Sequence, residues 1–409
     1  MNDRMFRKLS RWQTLVVLVI LVKFLVLTLV TPWGDLINWA IGASNALVYL
    51  SAGTYPPISA TGVYGSLQVT LAPFFWFWTR LPIEHPPLAT LPLAGSTPAF
   101  LLSTLMKLPS FLADIVTGGL IYKLVGQMTN SERKSQIALL SWYLNPFNIY
   151  WIEAFGAMDA IPISIVVLAI LFGTSRKWVS SGICVAIAGI LRIFPLVIFP
   201  FLLANSLGSR RSYISLLIGF LLPLTFAIVA MYISATGTLL TVASLPWGGE
   251  SWLLDFLGIS LGQFVKLTPI LLAVQFFVMI YFWRKTTLLH ATTVGLLALL
   301  VGALPYGGYG YHFLWVSPLL SASLALSPDE MWIFIFTFVT GSIYPPIIFL
   351  SLPSLSVLEP LLAGSFYAAK ATYLVKINLE SISSFRESRR YESQLPTHAA
   401  RLGLHNNSN

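Results

Sequence analysis

Apolar runs separated by short polar or basic segments make up most of this chain. Runs of about 17 to 25 residues match the length of helix that crosses the roughly 30 Å hydrocarbon core of a bilayer. Two shorter runs, residues 182–191 and 194–204, predict a hairpin with its tip near Arg192. The remaining predicted spans are residues 15–30, 99–125, 137–150, 161–172, 213–233, 267–283, 288–304, 312–326, 331–350 and 358–376. The pattern predicts an all-α, polytopic transmembrane helical bundle with about 12 spans.

Composition agrees with a membrane protein. Hydrophobic residues make up 56% of the chain, charged residues only 10%, and the mean hydropathy is +0.78, far from the charge content of a soluble domain. The single cysteine, Cys184, excludes a disulfide framework and a thiolate metal site. Walker, dinucleotide-binding and His-Glu-x-x-His motifs are absent from the sequence, which argues against nucleotide hydrolysis and a zinc site.

The net charge of +9 does not indicate nucleic-acid binding, because the basic residues lie in short loops and in the two tails. Their distribution instead indicates how the spans are oriented in the membrane. The motifs Ser131-Glu-Arg-Lys134, Ser175-Arg-Lys177 and Ser209-Arg-Arg211 mark cytoplasmic turns, and both termini are expected to be cytoplasmic. If residues 63–78 crossed the membrane, every later loop would lie on the opposite side from the one that its basic residues indicate. We therefore interpret that stretch as a re-entrant or interfacial element, with a helix broken by Pro73 and the prolines after it.

Polar residues that are unusual for a membrane protein gather on the opposite, extracytoplasmic side. An amphipathic run after the first span predicts an interfacial helix that begins near Asp35. Ionisable groups near lipid are costly unless paired or facing a wet cavity, so a cluster of them is a functional-site hypothesis. The predicted outer set comprises Asp35, Asn38, Tyr64, Glu84, His85, Asn145, Glu153, Asp159, Arg192, Glu250, Asp255, Tyr309 and His312.

Several motifs occur in an order found in a known family. They are Gly34-Asp35, Lys107-Leu-Pro-Ser-Phe-Leu-Ala-Asp114, Asn145-Pro146, Gly156-Ala-Met-Asp159, Leu191-Arg-Ile-Phe-Pro195 and Tyr311-His-Phe-Leu-Trp315. In this order the chain resembles the GT-C superfamily of integral-membrane glycosyltransferases, and within it the mannosyltransferases similar to GPI mannosyltransferase I (the PIG-M type) and their prokaryotic relatives. The resemblance implies a GT-C module at residues 1–205, a variable transmembrane module at 206–376 and a polar cytoplasmic tail at 377–409.

The resemblance also implies an activity. Such enzymes transfer a sugar from a polyprenyl or dolichyl phosphate donor to a lipid-linked or protein-linked glycan on the extracytoplasmic face. Asp35 matches the aspartate that serves as catalytic base, and Arg192 matches a basic residue that contacts the donor phosphate. His312 and Asp159 match further polar positions of the family. Ile37 stands where the related enzymes have a second acid, which argues against a divalent metal, and no other cofactor is expected.

The required chemistry calls for the same residue types. Inverting displacement of a phosphate from an anomeric carbon needs a base for the acceptor hydroxyl and a cation for the leaving phosphate. Asp35 and Arg192 are the residues we assign to these two tasks. Asn38, Tyr64, Glu84 and His85, in the first outer loop, are predicted to bind substrate with Asp159 and His312.

Simpler roles remain open for most of these residues. Asp35 can cap the interfacial helix, Asp159 can cap the helix that opens at Pro162, and Arg192 can extend to lipid headgroups. His312 can be an interfacial histidine, and Glu84 and His85 can be loop residues. Asp114, two helical turns after Lys107, is predicted to be a buried partner for another span.

Two other classes of protein remain as rivals. A secondary transporter or flippase would show paired halves with similar broken helices, and no such repeat is visible. A polymerase or ligase that uses a polyprenyl diphosphate would carry a larger and more basic outer loop.

Overall fold

The computed structural model describes residues 11–30, 33–54, 56, 65–88, 96–192, 194–207, 209–234 and 314–326. Within these ranges the chain is helical and contains no β-strand. Tyr64, His312, the predicted spans at 267–283, 288–304, 331–350 and 358–376, and the tail lie outside the described residues. The helices are α1 (Arg11–Leu29), α2 (Trp33–Ser51), α3 (Gly65–Thr79), α4 (Thr97–Thr129), α5 (Glu132–Tyr143), α6 (Ala160–Thr174), α7 (Trp178–Leu191), α8 (Phe199–Ser206), α9 (Arg210–Ser234) and α10 (Ser317–Leu326).

Two described helices, α1 and α4, are long and apolar enough to cross a membrane. They run antiparallel, because Lys23 of α1 contacts Asp114 of α4 while Val30, just after α1, contacts Lys107. Large apolar side chains of α1 remain exposed, for example Leu18 at 56% and Leu29 at 76%. Exposed apolar surface of this kind is typical of a helix that faces lipid and not of a soluble core helix.

The predicted span at 137–150 is wrong in its boundaries. The helix α5 begins earlier, at Glu132, and ends at Tyr143. Pro146 disfavours helical geometry in the residue before it, and Asn145 is extended, with its side chain accepting a hydrogen bond from the N–H of Phe147. A single turn, Pro146–Asn148, and a π-helix, Ile149–Ala154, follow this break.

The predicted hairpin at residues 182–204 is present. Helix α7 ends at Leu191, and a 3₁₀ segment, Phe194–Ile198, packs back against α7 and leads into α8. Helix α7 also packs along α9, and two glycines make this crossing close. A Cβ atom on Gly182 would collide with the backbone of Leu216, and one on Gly219 with the backbone of Val179. Small residues that let helix backbones approach in this way are common in membrane proteins.

Helices α2 and α3 form a second packing unit beside the main bundle. We define the apolar cluster between them and α4 as the α2–α3 cluster; its buried members include Leu36, Ala40 and Trp78. Helix α3 has 15 residues, about 22 Å, so it is shorter than a bilayer core. The expected break at Pro73 is wrong, because α3 continues through that residue; the helix ends at Thr79, before Pro82.

The basic loops share one end of the bundle. The Ser175 hydroxyl donates to Gln127 Oε1 over 3.1 Å, which joins the loop after α6 to the end of α4. Arg211, in the first turn of α9, lies beside the same loop and lines a cavity together with Arg176 and Lys177. The antiparallel packing of α1 and α4 brings the start of α1, at Arg11, to this end as well. We call it the basic end.

Candidate functional site

Arg192 lies at the opposite end of α7, where the backbone becomes extended after Leu191. Its Nε donates to Asp159 Oδ1 over 2.5 Å, and Nε1 of Trp315 donates to Asp159 Oδ2 over 2.9 Å. The Trp315 ring stacks on Phe194, with centroids 4.0 Å apart and planes 5° from parallel. We call Arg192, Asp159 and Trp315 the rim cluster. It joins the segment before α6, the end of α7 and the segment before α10.

Asp159 stands at the N-cap position of α6 but does not cap it. Its side chain makes no capping hydrogen bond to that helix. The carboxylate is 1% exposed and instead accepts from two side chains that are distant in sequence. The capping role considered for Asp159 is therefore wrong. Its partner Arg192 is 13% exposed, so the guanidinium is the part of the pair that the outside can reach.

Other predicted site residues lie on or near α2 and α3. Asp35 is in the first turn of α2, which begins at Trp33. Asn38 is exposed on the same helix. Glu84 and His85 are exposed in the non-helical segment after α3. The His85 ring lies edge-on to Trp78, with centroids 4.6 Å apart, and its Nε2 is 3.1 Å from the carbonyl oxygen of Leu81.

The α2–α3 cluster connects these residues with the rim cluster. Leu36, the neighbour of Asp35, is buried in it. Met158, the neighbour of Asp159, is buried in the same cluster, and Leu191, the neighbour of Arg192, packs against it. Three segments that are far apart in sequence, each carrying a predicted site residue, therefore converge on one apolar cluster.

A second polar cluster lies inside the bundle and was not part of the predicted site. Lys23 Nζ donates to Asp114 Oδ2 over 2.7 Å and lies 3.2 Å from Glu153 Oε1, and all three side chains are fully buried. The Tyr143 ring centroid is 5.3 Å from the same Nζ. Asp114 Oδ1 and both carboxylate oxygens of Glu153 receive no hydrogen bond from the described residues. The prediction that Asp114 is a buried partner for another span is confirmed.

Lys107 completes this cluster from the other side. Its Nζ donates to the carbonyl oxygens of Leu27, Val30 and Glu153, the last two over 2.5 and 3.3 Å. The ammonium group therefore sits where the carbonyl groups at the end of α1 carry partial negative charge. Gly156 has φ +78°, and a Cβ there would collide with the Lys107 side chain, so the turn after the π-helix needs glycine. We call Lys23, Lys107, Asp114 and Glu153 the buried ion cluster.

One sequence signal could have revealed the buried ion cluster. Lys23 is the only charged residue in the apolar run at 15–30, and an ionisable residue within a span needs a partner in another span. Lys107 and Asp114 carry the same signal. Glu153 was expected around the second outer loop; the structure places it on the π-helix after the break at Pro146, with its side chain buried beside Lys23.

Neither cluster offers, among its described residues, the donors that a metal site needs. Among the residues that the structure describes, no three His, Cys, Asp or Glu side chains come together. The rim cluster offers one carboxylate, already engaged by two donors, and in the buried ion cluster a lysine lies between the two carboxylates. A scan against models of known protein families finds no match, and a search of curated proteins finds no significant relative.

Proposed function

We propose that this protein is a multi-pass membrane glycosyltransferase of the GT-C type. It transfers a hexose from a polyprenyl or dolichyl phosphate sugar to a lipid-linked or protein-linked glycan, and mannose is the sugar we propose first. The reaction takes place on the extracytoplasmic face of a bundle of about 12 spans with both termini cytoplasmic. If the protein is prokaryotic, the membrane that it spans is the cell membrane.

The observation that carries the proposal is the convergence on the α2–α3 cluster. Catalysis requires a base and a phosphate-binding cation on either side of one anomeric carbon, which is possible only if their backbone segments meet. Leu36, Met158 and Leu191 bring the segments of Asp35, Asp159 and Arg192 to one cluster. The basic loops are at the other end of the bundle, which supports an extracytoplasmic site.

In the proposed reaction, the acceptor hydroxyl attacks the anomeric carbon from the face opposite the phosphate. Its proton passes to the carboxylate of Asp35 as the new carbon–oxygen bond forms. The bond between the anomeric carbon and the phosphate oxygen breaks, and both its electrons leave with polyprenyl phosphate, so the configuration inverts. Arg192 stabilises the charge that develops on this phosphate.

Asp159 and Trp315 have a positioning role in this mechanism. Asp159 engages Arg192 through Nε and is itself held by Trp315, so the guanidinium plane is fixed before the donor arrives. A preorganised cation needs less rearrangement as charge develops than a flexible one. This assigns Asp159 to orienting Arg192, whereas the sequence predicted direct substrate binding.

The proposal is tested by donor consumption. Purified protein in lipid vesicles is incubated with polyprenyl phosphate mannose or polyprenyl phosphate glucose and a membrane lipid extract as acceptor, and released polyprenyl phosphate is measured. We expect release with one donor and its strong reduction in Asp35→Asn. The matched control is Glu132→Gln, which removes an exposed acid at the basic end. Equal release by Asp35→Asn and wild type would contradict the assignment of Asp35.

The buried ion cluster favours a second candidate, a secondary transporter or a flippase for lipid-linked glycans. Paired acids and lysines inside a bundle mark ion and proton pathways in such proteins. This alternative predicts substrate or proton flux across sealed vesicles that depends on Glu153 and needs no donor cleavage. Flux that is lost in Glu153→Gln, together with an absence of donor cleavage, would favour transport over transfer.

A further inference from the structure

A cavity of about 400 Å³ opens at the basic end, between the loop that joins α6 to α7 and the first turns of α9. It is independent of both polar clusters described above. The residues that line it are Arg176, Lys177, Trp178, Val179, Ser180, Arg211, Ser212 and Ser215. Three cationic and three serine residues therefore line one space, and no carboxylate is among the described residues that line it.

The charges of this cavity differ from those elsewhere in the bundle. Lys23 and Arg192 each have a carboxylate partner within the protein. Arg176, Lys177 and Arg211 form no ion pair with any carboxylate in the described part of the chain, and all three are exposed. Lys177 Nζ lies 6.0 Å from the ring centroid of Phe172, a contact that supplies no anionic partner. The cavity is thus complementary to an anion with several acceptor oxygens.

The backbone holds two of these cations in place at a conformational cost. The N–H of Lys177 donates to the Phe172 carbonyl over 2.8 Å, and the N–H of Arg176 donates to the Gly173 carbonyl over 3.1 Å. This is the Schellman arrangement, in which the residue at the position of Arg176 is usually glycine because its φ is positive. Arg176 adopts φ +58° here. A basic side chain occupies a position where glycine would fit more easily, directly before α7.

The other wall of the cavity is held rigidly against this turn. Gly182 and Gly219 let α7 and α9 touch through their backbones, one to two turns away from the cavity. This close crossing holds the first turns of α9, with Arg211, beside the turn that carries Arg176 and Lys177. On the outer side of α9, the apolar residues Ile214 and Ile218 are 40% and 56% exposed next to the cavity.

We infer that this cavity binds the phosphate of an anionic phospholipid, with its acyl chains along the exposed face of α9. A soluble phosphate would satisfy the cations but leave Ile214 and Ile218 uncovered, whereas a lipid satisfies both. Basic pockets between helices on the cytoplasmic side of membranes recognise anionic headgroups in this way. The inference uses the same membrane orientation as the proposed function but none of its catalytic residues.

The test compares two triple variants of the full chain. Arg176→Gln/Lys177→Gln/Arg211→Gln removes the cavity charges. Lys123→Gln/Arg133→Gln/Lys134→Gln removes the same charge from exposed positions at or near that end, outside the cavity. Binding of phosphatidylglycerol to each detergent-purified protein is measured by native mass spectrometry, with phosphatidylcholine as the neutral reference.

We expect the cavity variant to bind phosphatidylglycerol roughly 100-fold more weakly, as three cations close to an anionic headgroup imply, and the control to change little. Should the triple variant fail to fold, Arg211→Gln alone is expected to show a loss of about fivefold. Equal losses of phosphatidylglycerol binding in the cavity and control variants would overturn the site, because the lipid would then be attracted by the general positive charge of this end. Displacement of the lipid by inorganic phosphate at comparable concentration would overturn the assignment to a lipid. Both readouts are independent of glycosyl transfer, so either proposal can fail alone.

Discussion

The two polar clusters both pair cations with carboxylates, but they differ in how accessible the cation is. In the buried ion cluster, Lys23 is fully buried between Asp114 and Glu153. In the rim cluster, Asp159 is buried but Arg192 remains partly exposed. The first joins α1, α4 and the π-helix in the interior. The second lies where three chain segments meet at the end of α7.

This difference separates a structural role from a chemical one. A buried ion pair that is cut off from solvent and ligand acts on stability, because removing one partner leaves a charge without compensation. A cation held by a buried carboxylate but still accessible can meet a ligand phosphate without moving. The two clusters should therefore respond differently when equivalent residues are replaced.

Replacement of Lys23 by Met should have the largest effect, and it should be on stability. The change leaves Asp114 and Glu153 buried without their cation, which typically costs about 3 to 5 kcal/mol. The free energy of unfolding is measured by denaturant titration in detergent micelles. The double variant Lys23→Met/Asp114→Leu should recover part of the loss, since it removes one orphaned acid as well. A fully stable Lys23→Met protein would contradict the structural role.

Replacement of Arg192 by Met should cost less stability than Lys23→Met, because the buried Asp159 carboxylate keeps the Trp315 donor and lies at the partly exposed end of α7. It should also weaken donor binding and slow transfer by about 100-fold, the scale of a lost charge-stabilising group. Arg192→Lys should recover only part of this, because guanidinium can hold two phosphate oxygens while ammonium offers a point charge. Donor binding and initial rates are measured on the same preparations. A stability loss in Arg192→Met as large as that in Lys23→Met would show that the two clusters do not differ as described.

Asp159→Asn should have a smaller effect, about tenfold on transfer, because the amide still fills the site but no longer carries the charge that orients Arg192. If Asp159 acts only by positioning, the loss in Asp159→Asn should largely disappear in an Arg192→Met background. Double-mutant analysis of the transfer rate measures this coupling. Additive losses would assign Asp159 an independent contact with substrate.

Trp315→Phe should have the smallest effect, a loss of transfer of a few-fold. The phenyl ring keeps an aromatic contact with Phe194, but Asp159 Oδ2 loses the donor Nε1, a change worth about 1 kcal/mol. Transfer rates and thermal stability are compared with wild type. An unchanged rate would remove Trp315 from the chain of positioning contacts.

Hydrophobic patterning predicted the helices α1, α4, α6 and α9 and the α7–α8 hairpin, because continuous apolar runs leave few alternatives to helix. It was less successful at positions decided by single residues. Pro146 ends α5 by restricting Asn145, whereas Pro73 is accommodated within α3. Whether a proline ends a helix depends on which nearby groups can bond to the freed backbone carbonyl. The hydrophobic pattern of the sequence does not contain that information.

The site was predicted as a set of residues but not as a set of contacts. Arg192 and Asp159 were both singled out, yet their pairing across 33 positions depends on how α6 and α7 pack. Lys23 and Glu153 were not singled out as a pair, since neither reveals its partner locally. Arg176 was recognised as a basic loop residue, but its cavity exists only because α7 and α9 cross through glycine.

The central claim is that Asp35 is the base of a glycosyl transfer in which Arg192 receives the donor phosphate. The most direct measurement is single-turnover transfer from bound polyprenyl phosphate mannose in wild type and Asp35→Asn, with donor affinity measured in parallel. The account predicts unchanged donor affinity and folding, with the transfer step slowed about 10²- to 10⁴-fold. A transfer step at the wild-type rate in Asp35→Asn would contradict it.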